Sequence, residues 1–413
     1  MKYLSLLLIC TTMSAINCSG PQVKSAKNNE IMNTDSSSGY LNTVSFLKKH
    51  TRIIELKRGK SAVALAPDWQ GRIMTSSQDV DNGFSFGWVN KKLIESGKLL
   101  QHINAFGGEE RLWLGPEGGQ FSIYFPAGKE FVYDNWQVPA FLDTAPWDII
   151  SASDTAASFK TALSLKNYSG TSFDFRIDRT VSILDNGQLI SATGVDAQGL
   201  DWVAYKSVNT ITNTGKAAWK KESGLLSIWM LGMFTPSPSV VVVVPFKEGD
   251  EKSLGLKVND NYFGKIAGDR LKVSGSHIFF RADGKSRGKI GIPPLRTAGV
   301  MGSFDSEQNI LTLLVCKLPE GITDYVNSAW EIQKNPYSGD AFNSYNDGPL
   351  ADGSQMGPFY ELETSSPALS PQPGESMTHS QVTIHLTGNR ELLDKVAWKT
   401  LGVSLNEISG AFK

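Results

Sequence analysis

Two stretches of this 413-residue chain concentrate side chains able to move protons and hold hydroxyl groups. The first, FGGEERLWLGPEGGQF, sets Arg111 and Trp113 among Glu110, Glu117 and Gln120, between Gly107-Gly108 and Gly118-Gly119. Paired glycines accept positive φ and let a backbone come close to a ligand. An arginine fork grips a carboxylate or vicinal hydroxyls, carboxylates and amides share hydrogen bonds with hydroxyls, and an indole offers a flat face to a pyranose. Such a mixture suits a neutral, polyhydroxylated ligand. The alternative is a salt bridge from Arg111 to a glutamate, with Trp113 in the core.

The second stretch, GPFYELETSSPALSPQPGES, reads as a short strand from Phe359 to Glu363 between Pro358 and a Ser/Pro-rich segment. A period of two puts Phe359, Glu361 and Glu363 on one face, with the two carboxylates roughly 7 Å apart. On a concave, partly buried face their repulsion raises one pKa, which supplies an acid and a base from one strand. On a wet face they are ordinary surface glutamates. Just upstream, NSYNDGPLADGSQMGPF places Asn343, Tyr345, Asn346 and Asp347 ahead of Gly348. Turn formation alone accounts for Asn-Asp-Gly, while the position keeps Asn346 and Asp347 as candidate ligand contacts.

Other chemistries find less support. The histidines at 50, 102, 277, 379 and 385 have no HxH or HExxH spacing, so no zinc site is expected, and His385 reads as solvent-facing on the last strand. No EF-hand order, P-loop, Rossmann glycine pattern or Gly-x-Ser-x-Gly elbow is present. No cofactor is expected, although a Ca²⁺ ion assembled from distant loops stays open. Forty lysines and arginines against 41 aspartates and glutamates leave no field to hold a polyanion, so nucleic acid is not an expected partner.

The elements that must position these residues begin after an exported leader. MKYLSLLLICTTMSAINCSG has a single Lys2, an apolar run from Leu4 to Cys10 and small residues before Cys18, which is a secretory signal over residues 1–17, too short to span a membrane. Ala15-Ile16-Asn17-Cys18 resembles a bacterial lipobox, which implies lipidation of Cys18 and membrane contact through that anchor only. Residues 18–39 are polar and read as a tether. The expected address is the bacterial cell envelope, in the periplasm or at the cell surface. Cys316, in the apolar run LTLLVCKL, reads as a packed thiol.

Beyond the tether the period of two dominates. In SFDFRIDRTVSIL, Phe173, Phe175 and Ile177 alternate with Asp174, Arg176 and Asp178, as in an antiparallel strand with one buried face. VTIHLTG repeats the pattern, with Val382, Ile384 and Leu386 expected inward and Thr383 and His385 outward. SVVVVVPF, KVSGSHIFFRADG and ILTLLVCKL add strands, and SILDNGQLIS supplies an Asn-Gly turn. Helical spacing is limited to TVSFLKKH, KKLIESG and NRELLDKVAWKT. The expectation is an all-β, antiparallel sandwich with a few short helices, spanning residues 40–413 as one domain.

Leu362-Glu363, Pro367, Leu369, Pro373-Gly374-Glu375 and a terminal alternating strand, in that order, resemble the C-terminal pattern of the aldose 1-epimerases, the galactose mutarotases. VALAPDWQGRIMTSS resembles the opening strands of that superfamily, and FGGEERLWLGP its double-glycine turn at the edge of the sugar cleft. The resemblance implies a galactose mutarotase-like β-supersandwich, a carbohydrate partner and Glu363 as the catalytic base. The family's acid is a mid-chain histidine, but VNTITNTGKAAWKKESGLLSIWMLGMF has none, and Trp229 stands about where it would be. A second family histidine, before the double glycine, is replaced by Phe106; His102 lies five residues ahead of Gly107.

Opening and reclosing an aldose ring needs a base at the anomeric hydroxyl and an acid at the ring oxygen. The first functional expectation is therefore an enzyme of this kind, with Glu363 as base, Arg111 orienting the substrate and Glu110 or His102 as acid. Trp113, Glu117, Gln120, Trp229, Asn346, Asp347 and Glu361 are the expected sugar contacts. The second is a non-catalytic glycan-binding lipoprotein, which the missing histidines favour. The third is a polysaccharide lyase or hydrolase, for which Tyr337, Tyr345 and Glu361 offer side chains.

Overall fold

Alternating sequence becomes three antiparallel sheets in the computed structural model, which describes residues 39–413. The leader (1–17), Cys18 and the tether up to residue 38 lie outside the described residues. The largest sheet has ten strands, with Leu271–Ser274 at one edge and Asp148–Ala152 at the other. At its middle Ser376–Gly388 pairs along its whole length with Leu200–Asn213. Ser172–Ile183 follows, with Phe173, Phe175 and Ile177 buried and Asp174 exposed, as its alternation requires. A five-stranded sheet runs in the order Gly288–Ile292, Phe342–Asn346, Tyr360–Ser365, Ser227–Phe234, Arg111–Gly115. A three-stranded meander, Ile54–Arg58, Ser61–Ala66 and Arg72–Ser77, completes the set.

The five-stranded sheet packs one face on the ten-stranded sheet. Leu112, Leu114, Ile228 and Met230 meet Phe173, Phe175, Ile177 and Val203 in one apolar cluster. Each such side chain, taken fully out of water, stabilises the fold by about 1.5–3 kcal/mol. Polar contacts cross the same space: Thr364 Oγ1 lies 2.7 Å from His379 Nε2 and donates to Gln381 Oε1 at 2.6 Å.

The last strand corrects one expectation. Val382, Ile384 and Leu386 do not face the other sheet; they pack under the C-terminal helices Arg390–Leu401 and Leu405–Gly410, against Leu393, Val396, Leu401 and Ile408. Thr383 and His385, expected to be outward, therefore point into the sandwich and are buried. Amphipathic helices add a second apolar layer, so an apolar strand face does not by itself identify the sandwich interior. A second correction concerns the Asn-Gly turn. Residues Asn186–Thr193 form a helix, because Asp185 caps Gln188 N (2.8 Å) while the Gln188 side chain accepts from Asp185 N (3.0 Å). Short helices do form at Tyr40–Lys48, Lys91–Ser96 and Arg390–Leu401. Cys316 is buried, and that burial pushes its thiol up to about 12.

Candidate functional site

Residues directly opposite one another in an antiparallel pair share a face. Across the five-stranded sheet, Arg111 stands opposite Leu231, Leu231 opposite Glu363, Glu363 opposite Asn343, and Asn343 opposite Gly291. The neighbouring rows hold Met233, Glu361, Tyr345 and Lys289 on one side, and Trp113, Trp229 and Ser365 on the other. Thr364 points to the large sheet, so this face points away from it. One outer face thus carries Arg111, Trp113, Trp229, Lys289, Glu361 and Glu363. Glu117 joins from the loop after the Arg111–Gly115 strand, where Glu363 and Lys289 act on its charge.

The face is an interlocked charge cluster. Arg111 Nη2 donates to Glu361 Oε1 at 2.6 Å, and its guanidinium lies 4.6 Å from the centre of the Trp113 ring. Lys289 Nζ donates to both oxygens of Glu363, at 3.0 and 2.8 Å, and Trp229 Nε1 donates to Oε2 at 2.8 Å. The same ammonium sits 4.7 Å from the Trp229 ring centre and 5.6 Å from that of Tyr262. Tyr262 in turn donates to Asp340 at 2.6 Å and accepts from Asn343 at 3.2 Å. Trp113 and Trp229 meet edge to face at 5.7 Å, and Trp136 stacks on Trp330 at 5.8 Å beside them.

Burial sets the electrostatics. Glu361 is pushed up to about 7 chiefly by burial, with the charge of Glu363 adding to it and Arg111 only partly offsetting it. Glu117 is pushed up to about 7, again first by burial, opposed by Lys289 and reinforced by Glu363. Asp340 is raised by burial too. Desolvation penalises the charged form of each carboxyl, and one fixed cation nearby does not cancel it. Three donors at this cluster, Arg111 Nε, Trp113 Nε1 and Trp136 Nε1, are buried with no hydrogen-bond partner among the described residues.

The structure brings Arg111, Trp113, Glu117, Trp229, Glu361 and Glu363 together, and the ELE strand is no solvated face: Glu361 is 4% exposed and Glu363 0%. An Arg111 to glutamate ion pair over a buried Trp113 is also what the structure holds, with Glu361 as the partner. Other candidates stand elsewhere. Glu110 lies between the two sheets, bonded to Arg179 Nη2 at 2.8 Å and Gln381 Nε2 at 2.7 Å, because the chain alternates and Arg111 takes the outer side. His102 Nδ1 lies 2.6 Å from the Trp136 carbonyl, and its ring packs on Tyr133. Gln120 is pinned by both ends of its amide to the Gln333 backbone at 2.9 Å.

The Asn-Asp-Gly cluster serves the fold. Asn346 faces the other side of its strand and ties Gly284 N (2.9 Å) and Ser286 O (2.8 Å), while Asp347 accepts from Tyr345 (2.5 Å) and Gly357 N (3.0 Å). The Tyr337 hydroxyl donates to Lys221 O at 2.7 Å. The first glycine pair also serves the chain itself. Gly107 and Gly108 have φ of +94° and +115°, and a Cβ on Gly107 would overlap the Trp88 carbonyl.

Lys289, Tyr262, Asp340, Trp136 and Trp330 are not among the residues that the sequence singles out. Lys289 had a usable signal: it is the charged residue in the alternating GKIGI strand. The others come from loops, where no period exists to read.

The profile of a family of unknown function (DUF6786) matches residues 38–412. No curated protein matches the chain. Similar solved structures include an aldose 1-epimerase candidate from Escherichia coli K12, at 12% identity over 82% of this chain and 99% of that one, with a TM-score of 0.47. A protein from Synechocystis sp. PCC 6803 has 11% identity over 82% and 96%, with a TM-score of 0.49. A galactose mutarotase-like protein from Lactobacillus casei ATCC 334 has 11% identity over 81% and 100%, with a TM-score of 0.47.

Proposed function

The chain belongs to this family of unknown function, DUF6786, and from that premise we propose that the outer face of its five-stranded sheet is a carbohydrate site at which a sugar's anomeric region is processed. The observation that carries the reading is the convergence of buried Arg111, Glu361 and Glu363 with half-buried Glu117 and Lys289 on one face, the Glu117 and Glu361 carboxyls being pushed up to about 7. Carboxyls near neutrality are proton donors and acceptors at working pH.

In this reading Glu363 accepts the anomeric hydroxyl proton as the bond from the anomeric carbon to the ring oxygen breaks. Glu117, whose carboxyl burial pushes up to about 7, gives its proton to that ring oxygen. The open-chain aldehyde rotates about its first carbon–carbon bond and recloses with both transfers reversed. Lys289 holds Glu363 in place, Arg111 holds Glu361, and the unpartnered indole N–H groups of Trp113 and Trp136 meet sugar oxygens. Glu117 replaces Glu110 and His102 as the acid, since Glu110 is bonded between the sheets and His102 to the Trp136 carbonyl. The charged groups are nearly closed off, so admission of a sugar requires neighbouring side chains to shift. Exchange between anomers, read by NMR across a panel of aldoses, is expected above the buffer rate for the native chain and at the buffer rate for Glu363→Gln. A native chain that never exceeds the buffer rate with any aldose overturns the catalytic reading.

A second reading, capture without turnover, is favoured by Trp229. Where the resemblance expects a proton-donating histidine, an indole N–H is committed to Glu363, and an indole does not shuttle protons near neutral pH. Isothermal titration with oligosaccharides separates the two: saturable heat with no anomer exchange supports capture, and no heat with any glycan removes both. As part of the proposal, the leader exports the chain and Cys18 carries a lipid in a bacterial envelope; mass spectrometry of the mature N-terminal peptide checks it.

A further inference from the structure

A cavity of about 340 Å³ opens on the other side of the five-stranded sheet, in the space between the two sheets. None of Arg111, Glu117, Lys289, Glu361 and Glu363 lines it. Its size is at the low end for small-molecule sites, about 300–1,000 Å³. Its polar wall includes His385, Thr312, Ser303 and Tyr360, joined by hydrogen bonds and backed by Glu109, which does not itself line the cavity. Glu109 Oε2 lies 3.1 Å from His385 Nε2, and His385 Nδ1 lies 2.9 Å from Thr312 Oγ1. A carboxylate accepts, so His385 Nε2 donates to Glu109, while Nδ1 pairs with the Thr312 hydroxyl, whose oxygen keeps a lone pair for a ligand. Next to it the Ser303 and Tyr360 hydroxyls bond at 2.8 Å.

The rest of the wall is equally specific. Asp305 accepts from Ser239 Oγ, Glu307 N and Gln308 N, all on Oδ1 (2.7, 3.0 and 3.1 Å), and Oδ2 takes none of these bonds. Phe86 stacks on His385 at 4.1 Å and Phe234 meets the same ring edge-on at 5.6 Å, giving flat apolar surfaces beside the hydroxyls. Both phenylalanines line the cavity.

We propose that this cavity is a second ligand site, for a neutral polyol of monosaccharide size. Hydroxyls that both donate and accept match ligand hydroxyls, a carboxylate oxygen accepts from a vicinal pair, and aromatic faces cover the C–H faces of a ring. The lining holds one carboxylate, Asp305, and one ammonium, Lys91, so it offers no net charge to select an ion. The inference is independent of the outer-face chemistry.

The experiment is isothermal titration of the full chain carrying Glu363→Gln with myo-inositol and with D-glucose, with tetramethylammonium as a cationic control. Saturable one-to-one binding of at least one polyol is expected, weakened at least tenfold by adding Ser237→Trp, which fills the cavity wall, and likewise by Asp305→Asn, which keeps the Oδ1 acceptor. Thermal unfolding of each variant verifies that it is folded. No saturable polyol binding, or binding that neither substitution weakens, overturns the proposal, as does binding of tetramethylammonium alone. Anomer exchange by the native chain is measured separately, so failure of the cavity and failure of the outer face are told apart.

Discussion

Lys289 Nζ bridges both carboxylate oxygens of Glu363, at 3.0 and 2.8 Å, across 74 residues of chain. The Glu363 side chain is fully buried and that of Lys289 is 11% exposed. Neither charge has water to fall back on, so each depends on the other.

Removing one member of such a pair costs about 3–5 kcal/mol, because the remaining charge stays buried without its partner. Lys289→Met is therefore expected to lower the unfolding free energy by about that amount, and Lys289→Met with Glu363→Leu to recover much of it. Urea titrations arranged as a double-mutant cycle measure the coupling. Strictly additive losses would contradict it.

The raised carboxyls give stability a pH slope of definite sign. Glu117 and Glu361 stand at about 7 in the folded chain against an ordinary 4.5. Between those values the folded state keeps protons that the unfolded state releases, so stability is highest below about 4.5 and is lost as pH rises to about 7. The loss is on the order of 3 kcal/mol for one carboxyl acting alone. Glu117→Gln cannot ionise and is expected to flatten this slope when unfolding is followed at pH 5, 6, 7 and 8. An unchanged slope would place the Glu117 carboxyl in water.

Glu110 is assigned to the fold by its pairing with Arg179, both side chains being fully buried. Glu110→Gln is expected to lower the unfolding free energy by about 3–5 kcal/mol. Glycan titration of the folded variant should be unaffected, because Glu110 lies neither on the outer face nor in the lining of the cavity between the sheets. A drop in glycan affinity without a loss of stability would reverse the assignment.

Trp229→Phe keeps an aromatic ring beside Lys289 and deletes the N–H donor to Glu363. A hydrogen bond to a charged group contributes about 1.5–3 kcal/mol, and a loss in that range is expected in chemical unfolding. A neutral substitution would mean that Lys289 alone satisfies the carboxylate.

How much of this was legible depends on how local the signal is. The strand through Phe173, Phe175 and Ile177 declared itself, because a period of two is a property of neighbouring residues. So did the pairing of Glu361 with Glu363 on one face. The two faces of the last strand are the reverse of what alternation suggests, since nothing within VTIHLTG says whether helices or a second sheet will cover Val382, Ile384 and Leu386. Glu109, Glu110 and Arg111 show the limit most sharply. Their types suggested a single binding wall, yet alternation sends Arg111 outward to Glu361 and Glu110 inward to Arg179.

By itself, then, the sequence determined the sheet class, the alternation of each strand and the kinds of side chain available, because these depend on backbone sterics and on neighbours in the chain. Only the tertiary structure decided which carboxylate meets which cation. Lys289 reaches Glu363 and Arg111 reaches Glu361 through strand order and register, and those are set by the packing of whole sheets, with no trace in any short window of residues.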